Sequence, residues 1–76
     1  MQMDILKETS IEYCENIYAL SINYLKNHNN NELRGLLEEL TTIEDNIRIC
    51  NDIDILNKFV TALKLISNRI EGIIHE

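Results

Sequence analysis

Three kinds of side chain in this 76-residue sequence could do chemistry: two cysteines, two histidines and carboxylates set side by side. Cys14 and Cys50 could pair as a disulfide or offer a nucleophilic thiolate. His28 and His75 could act as general bases or metal ligands. Glu38-Glu39 and Glu44-Asp45 could divide acid and base roles between neighbours. Catalysis needs such groups to converge on one point, and the spacing here argues against convergence. Each cysteine lies in a stretch of apolar helical periodicity, where a free thiol packs as a small hydrophobe. His28 falls in a run of asparagines and His75 next to the last residue, and neither has a cysteine or carboxylate at ligand spacing. The paired acids lie off the apolar stripe of an amphipathic segment, on a face that reads as solvated. No HExxH, CxxC, glycine-rich phosphate loop or calcium loop occurs. The expectation is therefore a protein that is not an enzyme, with no catalytic residue, no metal and no cofactor.

Charge and length narrow the class further. A chain of this size makes one domain, 1–76, near the lower limit at which a single core suffices. Such a core contributes no more than ~3–5 kcal/mol net, so self-association or a partner would add materially. The start, Met-Gln-Met-Asp, lacks the basic and apolar blocks of a signal peptide, and no run approaches membrane-spanning length. A cytoplasmic setting with no membrane partner is the expectation. The net charge of −6 is unevenly spread. Seven acids (Glu32, Glu38, Glu39, Glu44, Asp45, Asp52, Asp54) stand against Arg34 and Arg48 between residues 32 and 54, whereas residues 55–76 are slightly positive. Nucleic-acid binding rests on Lys and Arg neutralising phosphates, and there is no basic stripe here. A basic protein partner fits better.

The elements that must position these residues are helices. Leu33, Leu36, Leu40, Ile43, Ile47 and Cys50, then Leu56, Phe59, Leu63, Ile66, Ile70 and Ile73, recur at alternating spacings of three and four, which keeps side chains on one helix face. No proline interrupts them. The two seams are out of phase, because an unbroken repeat needs apolar residues at 54 and 57 and meets Asp54 and Asn57. The pattern predicts an all-α, three-helix, up-down-up bundle, with helices at about 4–26, 31–50 and 52–75 and dimerisation as an option. The competing arrangement is a first helix plus one long helix over 32–75 in a dimeric coiled-coil-like assembly. Asn51 as N-cap with Asp54 favours the break, with Cys50 packing on Ile55 as a hydrophobic staple. Asn29 with Glu32 reads as the cap of the second helix, and Asp4 or Thr9 as that of the first. Gly35 costs the second helix ~1 kcal/mol relative to alanine and would allow a close helix approach.

The first helix holds more apolar surface than one neighbour can cover. At about 100° per residue its apolar side chains form two adjacent stripes spanning roughly 200°. One is Leu6, Tyr13, Ile17, Leu20 and Tyr24, the other Ile11, Cys14, Tyr18, Ile22 and Leu25, with Ser10 and Ser21 between them. This excess predicts a small protein-binding module (an adaptor, inhibitor, immunity-type protein or secretion chaperone) that sets Ile11, Tyr18, Ile22 and Leu25 against a partner, rimmed by Glu38, Glu39, Glu44 and Asp45. The alternative function is a self-assembling structural or regulatory homo-oligomer.

Overall fold

The computed structural model describes residues 2–75, with the side chain of Gln2 excepted. Three helices account for almost all of it: α1 (Gln2–Leu25), α2 (Asn31–Ile49) and α3 (Ile53–Ile74). Every pair packs together. Lys7 near the start of α1 donates to the carbonyl of Cys50 at the end of α2 (2.9 Å), and Arg69 near the end of α3 pairs with Glu32 at the start of α2 (2.9 Å). The chain therefore runs up, down and up, as the two seams predict.

The break between α2 and α3 is where the phase slip places it, so the long helix over 32–75 does not form. Cys50 turns to extended backbone and ends α2. The cap of α3 is Asp52 rather than Asn51. Its carboxylate accepts from the backbone N–H groups of Asp54 (2.9 Å) and Ile55 (3.2 Å), and its extended φ of −122° starts the helix at Ile53. A carboxylate also opposes the positive end of the helix dipole, which the neutral amide of Asn51 does not. With the cap moved by one residue, the Cys50–Ile55 staple loses its register. Cys50 is buried, its thiol directed at the Asp52 carbonyl (3.2 Å), while Ile55 is largely exposed. The same one-residue shift occurs at α2. Asn30, not Asn29, caps it by accepting from Leu33 N–H (2.9 Å), and Asn29 instead accepts from the Arg34 guanidinium. Asp4 and Thr9 both lie inside α1 and cap nothing.

α2 and α3 bury the seams read from the sequence: Leu33, Leu36, Leu40, Ile47 and Cys50 meet Leu56, Leu63, Ile70 and Ile73 in one core. α1 corrects the reading. Neither stripe alone is the core face; the buried line is Ser10, Cys14, Ile17 and Ser21, which takes Ile17 from the first stripe and Cys14 from the second along their shared border, while Leu6, Tyr24, Ile11 and Leu25 pack partly against the core. Small side chains on that line let α1 settle between the other two helices, and the two stripes become its flanks. Ser21 is 0% exposed, and its hydroxyl donates to the Ile17 carbonyl one turn back (2.8 Å). That carbonyl keeps its helix partner without the hydroxyl, so Ser21→Ala should change stability by less than ~1 kcal/mol. Ser21→Leu should cost ~1–3 kcal/mol by overpacking. Urea unfolding of both variants reads the difference. Gly35 departs from expectation too: a Cβ built there meets nothing within 4 Å, so no helix of this chain makes the close approach.

Candidate interaction surface

The groups that could do chemistry stay apart. Cys14 and Cys50 are both free and buried. Burial, reinforced by the carboxylate of Glu44, pushes the Cys14 thiol up to about 11, which keeps it protonated and poorly nucleophilic at neutral pH. The neutral thiol is the form the folded chain prefers. Its contribution to stability is therefore complete below the ordinary thiol pKa of about 9 and is lost as pH rises through about 11. Thiol-reagent labelling at pH 8 should accordingly be slow at Cys14 in the folded chain and fast once urea unfolds it. His28 is exposed at the end of α1, stacked on the Tyr24 ring at 4.1 Å with Nδ1 3.1 Å from the Tyr24 carbonyl, and it lies apart from any acid–base pair. Among the described residues no group of three or more His, Cys, Asp or Glu side chains is placed to hold a metal.

What the fold does assemble is a groove between α1 and α2. The last two turns of the α1 stripe that flanks α2 contribute: Tyr18, Ile22 and Leu25 line it, facing Arg34, Leu37, Glu38 and Thr41 across about 260 Å³. Tyr18 and Thr41 also line an adjoining hollow of about 400 Å³, which continues toward the start of α1 between Glu15, Ala19 and Glu44. The two read as one channel, apolar along its base where Leu37 is buried and carboxylate-rich along its edges. Ile22 is 39% and Tyr18 43% exposed, so both side chains are open to solvent along the channel. Glu44 is held by Arg48 at 2.7 Å, one helical turn on, and Arg34 is turned toward Asn29. Glu15 and Glu38 form no ion pair among the described residues, which leaves the rim negative.

The sequence-derived set divides on this geometry. Tyr18, Ile22, Leu25, Glu38 and Glu44 come together along the channel. Ile11 is on the same flank but is half-buried against the core and lines neither hollow. Glu39 faces the other side of α2, toward α3, and Asp45 lies on the outer ridge of α2. Arg34, Leu37, Thr41 and Ala19 are lining residues that the stripe analysis does not single out. Leu37 was the legible one among them, since it falls one position off the α2 seam on the side that α1 covers. On the opposite flank of α1 the Tyr13 hydroxyl bonds the Ser67 hydroxyl of α3 at 2.9 Å, which ties that stripe into the bundle. No helix among the described residues is long and apolar enough to cross a membrane. The chain matches no family model, no curated protein and no solved structure.

Proposed function

We propose that the chain is a small non-enzymatic protein-binding module, and that the channel between α1 and α2 is where its partner docks. One observation carries the reading: Tyr18 and Ile22, exposed apolar residues of α1, line with the half-buried Leu25 the same groove as Glu38 of α2. Apolar area at the centre with charge at the edge is the arrangement of a protein–protein contact, and tyrosine suits it because its ring adds area while its hydroxyl stays wet. The carboxylate rim favours a partner with Lys or Arg around its own apolar patch. Rigid helices present the surface with little ordering cost on binding. Adaptors, inhibitors, immunity-type proteins and secretion chaperones all work by such occlusion or bridging. A cytoplasmic location accords with two free buried thiols, which a reducing compartment preserves.

The test is capture from the native host with the tagged chain as bait, followed by identification of what is retained and a salt series on the complex. The reading expects a discrete partner whose retention weakens as salt rises and is lost with Ile22→Glu. Retention unchanged by Ile22→Glu would place the contact elsewhere.

A further inference from the structure

A second, wider groove of about 770 Å³ runs between α2 and α3, with Leu36, Ile43 and Ile66 supplying its apolar lining and Gly35 and Thr42 its α2 edge. Gly35 has no use within the chain. Its backbone needs no positive φ, a Cβ would meet nothing, and glycine inside a helix is less stable than alanine. Such a residue serves where another bulky group comes close. On the outer face of α3 the opposite holds. Leu65 is 64% exposed, with Lys58 and Arg69 exposed on the same face, seven residues before it and four after. α2 thus offers open space at Gly35 beside Glu38 and Glu39, with Glu32 held by Arg69 across the groove, and α3 offers the unburied Leu65 beside Lys58.

We propose that a second copy of the chain fills this groove, docked about a twofold axis parallel to the bundle, so that α3 of each copy lies antiparallel on α2 of the other. The Arg69–Glu32 pair sets the relative heights of α2 and α3, which puts Gly35 level with Ile66. A twofold axis along the bundle preserves those heights. Leu65 of one copy then sits over Gly35 of the other, and Lys58, seven residues before Leu65, comes over Thr42, seven residues after Gly35. Stacking α2 on α2 would instead bring the same carboxylates face to face, which costs several kcal/mol. The bundle measures 41 × 18 × 16 Å, so this face spans roughly 700 Å² per copy, close to the ~800 Å² per partner of a standard interface. The channel between α1 and α2 lies on the flank and is presented twice by the dimer.

Sedimentation equilibrium on the full chain, from low micromolar to submillimolar concentration and at low and high salt, tests the proposal. The expected result is a closed dimer that weakens with salt. Leu65→Lys and Gly35→Leu should each leave a monomer of unchanged helicity by circular dichroism. Lys58→Asp, which sets a carboxylate against the acidic α2 face of the other copy, should weaken dimerisation roughly tenfold or more. A wild-type monomer throughout, a dimer indifferent to both Leu65→Lys and Gly35→Leu, or growth beyond two copies would overturn it.

Discussion

Replacing Leu40 by alanine is expected to remove most of the chain's stability at 25 °C. Leu40 is 1% exposed at the middle of α2, where the core residues of all three helices meet. Removing its side chain forfeits the transfer free energy of the lost methyl and methylene groups and leaves a cavity, together ~2–5 kcal/mol. A core of this size supplies only ~3–5 kcal/mol in total, so one such truncation takes most of it. Leu20→Ala is the control. Leu20 is 55% exposed on α1, and its loss should cost less than ~0.5 kcal/mol. Urea titrations followed by circular dichroism measure both, and equal midpoints for the two variants would mean that the core is not where the seams converge.

Ile22→Glu is expected to abolish partner capture while leaving the helices intact. At 39% exposure the new carboxylate can reach water in the free chain, so folding should lose little. In the complex the same carboxylate would be covered by an apolar surface, and it would add to a rim already negative from Glu15 and Glu38. Burying an uncompensated charge costs several kcal/mol. At 1.4 kcal/mol per factor of ten, ~3 kcal/mol is a weakening of roughly 100-fold. Helicity and urea midpoint close to wild type, together with lost capture, is the signature of a surface residue that belongs to the contact.

The two outcomes reflect how unevenly the fold is written in the sequence. α2 and α3 were legible because their apolar residues hold a 3,4 spacing, and Asp54 and Asn57 announce the slip between them. The caps were legible to within one residue, since a run such as Asn27–Asn31 or Asn51-Asp52 offers several adjacent side chains able to accept from the first turn. Only the backbone geometry at Asn30 and Asp52 selects one. α1 was the difficult helix. Its buried line includes Ser10 and Ser21, which hydropathy ranks as surface, whereas Tyr18, Leu20 and Ile22 are the residues hydropathy would bury. Close helix packing selects for small volume over apolarity on that line, and a single sequence does not reveal where the helices approach closest. The same limit applied to the candidate surface. Tyr18, Ile22 and Leu25 could be named from their stripe, but the turn of α2 decides which acids join them: Glu38 borders the grooves on both sides of α2, whereas Glu39 borders only the one toward α3.

The central claim is that the channel between α1 and α2, and not the α3 flank of α1, is the docking surface. Calorimetric titration of the captured partner against wild type, Ile22→Glu and Leu20→Glu decides it, because the two substitutions place the same charge on opposite flanks of one helix. The account predicts near wild-type affinity for Leu20→Glu and a loss of roughly 100-fold or more for Ile22→Glu. Equal affinity of Ile22→Glu and wild type, or a loss confined to Leu20→Glu, would contradict it.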